Sequence, residues 1–306
     1  MSEATRFQEV ACNLCGADDA REFFHRPYEQ DPLSDTSTFA ATTDIFGRYG
    51  RIVRCRRCGL VYTNPRPTPA SLLEGYEVCT DETYLSESSS RSINAHLSLN
   101  TLRRFVRSGK LVEVGASAGY FLNAARADFD VIGLEPSRWA CRIAQERFKL
   151  EMRTQSFEGL SRFEPESLDV VVMVDVIEHL PDPKQALALA ARALKKNGML
   201  YLVTPNIRSM SARICRSYWW GLRPAHIYYF SPETLGSMLS SVGLETAFCA
   251  SFGRMFSFGY WADRIRHYPG ILHRTACAAA RLLDIERKFV YINTRDSLEL
   301  CARKPA

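Results

Sequence analysis

LVEVGASAGYFLNAA, residues 111–125, is the stretch that decides the fold of this chain. It begins as an apolar run with one acid, continues as a crowd of small residues between Gly115 and Gly119, and ends in a helical pattern. A buried strand that turns tightly into a helix points backbone N–H groups at whatever lies beyond the turn. The stretch therefore predicts that a ligand binds at the end of this strand.

The segments that follow repeat the alternation of strand and helix. Strand patterns occupy 130–137, 168–180 and 199–205, and helical patterns occupy 138–148 and 183–198, the latter ending at Gly198. Near-continuous apolar strands that alternate with helices are typical of an α/β fold with a doubly wound, mostly parallel sheet. Ligands in such sheets bind beyond the carboxyl ends of the strands.

The spacing of the small residues tests three ligand classes. A dinucleotide fingerprint requires glycine at the first, third and sixth positions, which are Gly115, Ser117 and Tyr120 here, so two of three fail. The Gly-Lys-Ser/Thr of a phosphate loop is absent from the stretch. The remaining pattern, acid-x-Gly-x-small-x-Gly from Glu113, suits a ligand without a pyrophosphate whose amino-acid portion lies along the turn.

On these residues, Glu113 to Phe121 resembles the first motif of class I S-adenosylmethionine-dependent methyltransferases. The resemblance covers roughly 95–250 and the C-terminus, and it implies a Rossmann-like, seven-stranded sheet with S-adenosyl-L-methionine as cofactor. The segment 296–305 looks like the last strand of the family, which pairs antiparallel at the sheet edge. Ser117 stands where the family often has glycine, and serine fits this position if its φ is negative.

The resemblance also implies a role for each matching position. Glu135 would accept hydrogen bonds from both ribose hydroxyls, which requires two acceptor oxygens. Ser156 and Phe157 fall where the family contacts adenine. The implied cofactor site is Glu113, Gly115, Ala116, Ser117, Gly119, Tyr120, Phe121, Glu135, Pro136, Ser156, Phe157, Asp175 and Val176.

Two C-x-x-C pairs, each followed by glycine, lie near the N-terminus: Cys12 and Cys15, then Cys55 and Cys58. Such a pair places two thiolates on one side of a tight turn, and two pairs make a closed zinc site with four cysteine ligands. Gly16 and Gly59 are free to take positive φ in these turns. The pattern predicts a structural Zn²⁺ in a small N-terminal zinc ribbon, with strands or a loop over 39–49.

The acceptor site is predicted in the segment after the fifth strand. Methyl transfer to a hydroxyl requires a base near neutral pH, for which histidine is the natural residue. His226 lies within an aromatic cluster, and His179 in the 175–183 segment is a second candidate, set against a purely structural role for each. The predicted substrate-binding residues are Trp219, Trp220, Tyr228, Tyr229 and Arg264.

The domain organisation follows from these segments. We expect a zinc ribbon over 1–75, a linker and leading helix over 76–108 with the helix at 93–107, and a methyltransferase domain over 109–306. A helical insertion at about 255–290 carries arginines, among them Arg264 and Arg266. It is either a pair of solvated amphipathic helices or a lid whose arginines hold a phosphate or carboxylate.

The overall composition limits which classes of protein and of function remain. The 306 residues are 46% hydrophobic and 24% charged with a net charge of +5, which is ordinary globular composition without a block of like charge. The N-terminus does not read as a signal peptide, and no run suits a membrane helix, so a cytoplasmic enzyme is expected. The favoured function is O-methylation of a sugar, glycan intermediate or secondary metabolite, including phosphorylated or nucleotide-linked acceptors. The alternatives are an RNA methyltransferase that grips phosphates with the ribbon, and a non-catalytic assembly module; a nucleic-acid partner is not favoured.

Overall fold

The structure, a computed structural model, describes residues 6–26, 33, 36–42, 49–266 and 270–306. The N-terminal part contains short strands followed by three helices. The strands are β1 (Phe7–Gln8), β2 (Ala20–Arg26), β3 (Tyr49–Cys55), β4 (Val61–Thr63) and β5 (Arg66–Pro67). The helices are α1 (Pro69–Val78), α2 (Glu82–Ser86) and α3 (Ser88–Leu102). A 3-10 turn, Thr36–Phe39, lies in the predicted loop between the cysteine pairs, of which residues 43–48 lie outside the described part.

The central part alternates strands and helices as predicted. Its strands are β6 (Gly109–Val114), β7 (Phe129–Leu134), β8 (Glu151–Arg153), β9 (Leu168–Val174), β10 (Leu194–Pro205), β11 (Tyr228–Tyr229) and β12 (Glu245–Ser251). Its helices are α4 (Tyr120–Ala125), α5 (Arg138–Phe148), α6 (Pro183–Ala193), α7 (Met210–Cys215) and α8 (Pro232–Ser240). The C-terminal part adds β13 (Arg254–Ser257), α9 (Phe258–Arg264), α10 (Gly270–Leu282), β14 (Phe289–Ile292) and β15 (Ser297–Arg303).

Seven strands form the main sheet in the order β12-β15-β10-β9-β6-β7-β8. Only β15 runs antiparallel to its neighbours, so the predicted mostly parallel, doubly wound sheet is confirmed. Strand β9 is buried on both faces: Val171 and Met173 pack into the core on one side, and Val170 and Val172 into the core on the other. Helices on both faces explain why these strands are almost uninterrupted apolar runs.

The last strand is antiparallel but does not lie at the edge of the sheet. It is inserted between β10 and β12, which leaves β12 as the edge strand. The burial of the two strands explains the order, since residues 297–302 of β15 are all buried whereas β12 has no buried residue. A strand with that much apolar surface is stabilised by neighbours on both sides.

Three element boundaries differ from the sequence-based expectations. Helix α6 ends at Ala193 rather than Gly198, because Asn197 takes φ 63° and residues 194–198 turn toward the C-terminal strand. Helix α3 begins at Ser88, five residues before the predicted start. The insertion is not wholly helical, since β13 and β14 form an antiparallel ribbon around its two helices. Residues 267–269 of the insertion lie outside the described residues.

The N-terminal sheet is completed by a strand from the central part. Its order is β11-β4-β3-β2, with Tyr228 opposite Tyr62 and Tyr229 opposite Val61. The segment that carries His226 therefore continues into a strand of this four-stranded sheet, which is called the ribbon sheet below. Helix α8 follows it, with Ser231 as its N-cap and Pro232 in the first turn.

Candidate functional site

The turn from β6 into α4 is built on two glycines with positive φ. Gly115 has φ 69° and Gly119 has φ 78°. A Cβ on Gly115 would lie 2.4 Å from Val176 Cγ2, and one on Gly119 would lie 2.6 Å from Leu150 Cδ1. Both the dihedral angle and the close neighbours therefore require glycine at these positions.

Ser117 also has a positive φ, 46°, so the condition of a negative φ, under which serine fits easily, is not met. The left-handed conformation costs a non-glycine residue on the order of 1 kcal/mol or more. Here the Ser117 N–H donates to Glu135 Oε2 over 2.8 Å, which fixes the turn against the end of β7. The tight curvature between Gly115 and Gly119 leaves no room for an extended residue between them.

Glu135 organises the turn with both carboxylate oxygens. Oε2 accepts from Ser117 N–H, and Oε1 accepts from Ser137 N–H over 2.9 Å. Burial raises the pKa of this carboxyl, while the two backbone N–H donors lower it. Each carboxylate oxygen retains a second lone pair, so the group can still accept hydrogen bonds from a ligand.

A cavity of about 880 Å³ opens beyond the carboxyl ends of β6, β7 and β9. The predicted cofactor residues on its wall are Gly115, Ser117, Glu135, Pro136, Ser156, Phe157, Asp175 and Val176. Those that do not line it are Glu113, Ala116, Gly119, Tyr120 and Phe121. The second group lies in β6 or on the far side of the turn, where Gly119 approaches Leu150 and Phe121 stacks on Tyr201.

Glu113 is the most unusual of the residues behind the turn. It is 4% exposed, and its Oε2 has no hydrogen-bond partner among the described residues. Burial, followed by the nearby Glu135 charge, raises the pKa of Glu113 well above its ordinary value. A buried carboxyl oxygen without a partner is costly, and protonation of the carboxyl, which its raised pKa favours, lowers that cost.

Asp175 is held by an arginine that the sequence analysis did not single out. Arg254 Nη2 in β13 lies 2.7 Å from Asp175 Oδ1 and 2.8 Å from Oδ2. The two residues are distant in sequence and both line the cavity. In the sequence, Arg254 stands among apolar residues at the start of the insertion. That position could have marked it as a functional residue, but no sequence pattern linked it to Asp175.

The two candidate histidines lie together. Their ring centroids are 4.6 Å apart in an edge-to-face arrangement, and both line the cavity. His226 Nδ1 lies 2.8 Å from Gly221 O, and His179 Nδ1 lies 2.9 Å from Ala225 O and 2.7 Å from the Tyr76 hydroxyl. A carbonyl oxygen can only accept, so Nδ1 carries the proton in both rings and Nε2 is the basic nitrogen.

Burial keeps both imidazoles neutral. Desolvation, with Arg223 as a further cause, lowers the pKa of His179 to about 4. Burial and then the His179 and Arg223 charges lower the pKa of His226 well below its ordinary value. Both rings are therefore proton acceptors at neutral pH.

Glu178 lies beside this pair. Its Oε2 accepts from Thr204 Oγ1 over 2.9 Å, and its Oε1 is buried with no partner within the described part of the chain. Burial, and next the Asp175 charge, raise the pKa of Glu178 to about 8. Glu178, His179 and His226 offer one ligand atom each within 4.8 Å of one another, a group that can share a proton and has donor types that suit a divalent cation.

The predicted substrate-binding aromatic residues divide into two pairs. Trp219 and Trp220 line the cavity, with Trp220 Nε1 donating to Asp296 Oδ2 over 2.5 Å. Tyr228 and Tyr229 do not line it, because they form β11 and are buried in the ribbon sheet. The Tyr228 hydroxyl there accepts from Arg66 Nη1.

Arg264 of α9 reaches from the insertion to the N-terminal part. Its Nη2 donates to Thr42 O over 3.1 Å and to the Tyr260 hydroxyl over 2.8 Å. The residue lines the cavity, so the insertion forms one wall of it.

The four paired cysteines come together although they are separated by some forty residues of chain. Cys12 Sγ lies 3.4 Å from Cys58 Sγ, Cys15 Sγ lies 3.6 Å from Cys55 Sγ, and all four sulfurs lie within 4.8 Å of one another. Zn–S bonds of about 2.3 Å in a tetrahedron place the sulfurs about 3.8 Å apart, so the arrangement fits that ion. Gly16 and Gly59 take φ 72° and 80°. The positive φ expected in each knuckle is therefore confirmed.

A family model described as a methyltransferase domain matches residues 90–247, more than half of the 306-residue chain. The chain therefore belongs to this methyltransferase domain family. The fold and the family together make it a class I S-adenosylmethionine-dependent methyltransferase, and the resemblance inferred from Glu113–Phe121 is confirmed.

Two O-methyltransferases are similar to part of this chain at low sequence identity. A ubiquinone biosynthesis O-methyltransferase from Ralstonia nicotianae is 28% identical over 151 residues, which are 45% of this chain and 63% of the relative. One from Methylococcus capsulatus is 32% identical over 109 residues, 34% of this chain and 46% of the relative. This chain thus spans less than two thirds of the length of either relative.

A solved structure supports the fold alone. A chain in the complex between the Haloferax volcanii Trm112 methyltransferase activator and a methyltransferase is similar with a TM-score of 0.51 and 18% identity. The match covers 71% of this chain and 93% of that one. Among the described residues, the helices are all too short or too polar to span a bilayer.

Proposed function

We propose that this methyltransferase transfers a methyl group to a hydroxyl oxygen of a small acceptor, with His226 as the general base. The observation that carries the proposal is the orientation of His226, whose Nδ1–H donates to Gly221 O while the ring lines the same cavity as Glu135 and Gly115. The names of the relatives, which are O-methyltransferases, support oxygen as the accepting atom.

Bound S-adenosylmethionine supplies an electrophilic methyl group on a positively charged sulfur. We propose that Glu135 accepts from the ribose hydroxyls, that Ser156 and Phe157 contact the adenine, and that the Gly115–Gly119 turn holds the amino-acid portion. Asp175, fixed by Arg254, and Val176 complete this side of the cavity. The chain thereby positions the donor and excludes water, which is most of what an in-line displacement requires.

The acceptor occupies the part of the cavity bounded by the histidines, Trp219 and Trp220. His226 Nε2 would take the proton of the acceptor hydroxyl as that oxygen receives the methyl group that the bound cofactor would supply. His179, held by Tyr76 and Ala225 O, packs against His226 and orients it. A sugar, glycan intermediate or secondary metabolite with a hydroxyl group fits this chemistry.

We also propose that Cys12, Cys15, Cys55 and Cys58 hold a structural Zn²⁺, and that residues 1–75 form the ribbon, 76–108 the connection and 109–306 the catalytic domain. The zinc role would be to fix the ribbon, because four sulfurs leave no coordination position for a substrate. Strand pairing between β4 and β11 supports a ribbon that buttresses the acceptor segment.

The test is an acceptor screen with isotopically labelled cofactor, in which the methylated atom is assigned by mass spectrometry and NMR. We expect an O-methyl product, and a His226→Gln variant that loses about 100-fold or more in kcat while it keeps the wild-type affinity for S-adenosylhomocysteine. A product methylated only on carbon or nitrogen, or a His226→Gln variant with normal kcat, would contradict the proposal. A His273→Gln variant, which changes a histidine outside the cavity wall, is the matched control.

A further inference from the structure

Arg91 of α3 presents a cation to the cavity. The residue lines the cavity wall, and its Nε and Nη2 are buried without a hydrogen-bond partner among the described residues. A guanidinium remains charged at every physiological pH. A buried donor left unpaired costs about 1–3 kcal/mol, and more when it is charged. The arrangement therefore requires an anionic acceptor that comes from outside the chain.

Two aromatic rings hold this guanidinium in place. Arg91 Cζ lies 4.1 Å from the centroid of Tyr84 and 5.3 Å from that of Phe256. Phe256 belongs to β13, which is fixed to α3 by two hydrogen bonds between Asn94 and the Met255 backbone, 2.9 and 2.7 Å long. Cation–π contacts with two rings orient the planar group, whose N–H donors remain available to a ligand in the cavity.

The position of Tyr84 indicates which part of a ligand meets Arg91. Tyr84 lines the cavity together with Ser117, and its ring lies 5.9 Å from that of Tyr120, the first residue of α4. Arg91 therefore lies beside the Tyr84 ring, which in turn lies next to Tyr120 at the end of the turn between Gly115 and Gly119. The adenosine contacts proposed above, Glu135 and Phe157, are other residues of the cavity wall.

The charges of the cofactor indicate which of its groups lies next to Arg91. Adenosine is uncharged, and the sulfonium and the ammonium are both positive, so the α-carboxylate is the only anion in the molecule. The other cavity arginines already have contacts. Arg254 pairs with Asp175, Arg264 donates to Thr42 and Tyr260, and Arg223 donates to Ala40 O. We propose that Arg91 binds the α-carboxylate of S-adenosylmethionine in a charge-assisted hydrogen bond, clamped between Tyr84 and Phe256.

This assignment makes the insertion part of the cofactor site. Tyr84 comes from α2 and Phe256 from β13, so the clamp closes only when the β13–β14 ribbon lies on α3. The inference concerns the cofactor alone, and it stands whether or not the acceptor is a hydroxyl.

The test is titration calorimetry without acceptor on wild-type protein and on Arg91→Gln. The ligands are S-adenosylhomocysteine, decarboxylated S-adenosylmethionine, which keeps the amine but has no carboxylate, and methylthioadenosine, which has no amino-acid portion. We expect Arg91→Gln to bind S-adenosylhomocysteine about 10- to 100-fold more weakly, with the other two ligands unchanged. Arg91→Lys should recover part of the loss, since it keeps the charge but not the planar fork. Arg142→Gln, which alters an exposed arginine of α5, is the matched control for loss of charge.

Three results would overturn the proposal. An equal loss for all three ligands would mean that Arg91 only supports the fold. An unchanged affinity for S-adenosylhomocysteine would mean that no carboxylate reaches it. An unchanged affinity together with a raised Michaelis constant for an anionic acceptor would assign the cation to the acceptor instead. Binding of methylthioadenosine also reports whether Arg91→Gln is folded. Because no measurement of cofactor affinity depends on methyl transfer, failure of the hydroxyl-acceptor proposal would leave the outcome readable.

Discussion

Asn13, which lies between the two cysteines of the first knuckle, is hydrogen-bonded to Asp182 at the N-terminus of α6. Its Nδ2 donates to Asp182 Oδ1 over 2.9 Å, and its Oδ1 accepts from the Lys184 N–H over 3.0 Å. Asp182 also caps α6 by accepting from the Gln185 N–H. The first C-x-x-C turn therefore holds the segment that follows His179 in place. These hydrogen bonds connect the proposed ribbon to the proposed acceptor site.

Replacing Asn13 by alanine should therefore affect both stability and the acceptor site. We expect Asn13→Ala to lower the free energy of unfolding by about 1–2 kcal/mol, because it removes two hydrogen bonds at a helix N-terminus. It should also raise the Michaelis constant for the acceptor with zinc content unchanged. Denaturant titration and steady-state kinetics measure the two effects. Arg57→Ala, an exposed change in the second knuckle, should alter neither; equal effects from both variants would contradict the anchoring role.

Metal removal tests the proposed zinc site. We expect one zinc per chain by elemental analysis, and we expect a chelator or Cys58→Ser to remove it and unfold the ribbon. The segment around His226 should loosen as well, since β11 pairs with β4 of the ribbon. Hydrogen exchange of residues 226–230 measures this coupling. Cys249→Ser changes an exposed single cysteine and should retain the metal; a metal-free wild-type protein of full stability would refute the site.

The glycine turn can be tested with a matched pair of variants. Gly119→Ala introduces a Cβ at φ 78° and 2.6 Å from Leu150 Cδ1, so we expect a loss of about 2–4 kcal/mol in unfolding free energy and weaker cofactor binding. Ser117→Gly should stay within about 1 kcal/mol of wild type, because relief of the strain at φ 46° offsets the added chain entropy. Thermal unfolding measures both. If Gly119→Ala proves neutral, the turn is looser than described.

The pH dependence of the acceptor reaction reports on the histidines. Because burial lowers the pKa of His179 to about 4 and that of His226 well below its ordinary value, both stay unprotonated through the neutral range. The base is present above these folded-state pKa values and is lost as pH falls through them. We therefore expect kcat/KM for the acceptor to show no loss on the acid side at about pH 6.5, where an ordinary histidine titrates. An acid limb centred near the ordinary histidine pKa of about 6.5 would contradict a buried histidine base.

Glu178 should make the protein less stable at alkaline pH. Burial raises its pKa from 4.5 to about 8, so the folded state holds a proton that the unfolded state has already released. Its stability contribution is therefore present at low pH and is lost as pH rises through the folded-state pKa. We expect Glu178→Gln, which mimics the protonated side chain, to show a smaller fall in melting temperature between about pH 6 and pH 9 than wild type. Identical slopes in the two proteins would show that Glu178 is ionised throughout.

Much of the fold follows from local pattern. The alternation of apolar runs and helical segments from Leu111 onward predicts the doubly wound sheet, and the trailing glycines of the two C-x-x-C pairs predict the knuckle turns. Element ends were less accurate, as at α6, because residues 197–198 are hydrogen-bonded to Lys304, which directly follows β15 and is far away in sequence. The position of β15 inside the sheet likewise depends on which strand buries more apolar surface.

The sequence alone determined the class of the protein, because motif spacing and hydrophobic period are properties of neighbouring residues along the chain. Only the tertiary structure placed Arg254 on Asp175, His179 against His226, and Arg91 between Tyr84 and Phe256. It also moved Tyr228 and Tyr229 from the expected acceptor wall into the ribbon sheet. These contacts join segments that are far apart in sequence. They depend on which buried charges find a partner and which rings pack together after folding, and a local sequence pattern does not contain that information.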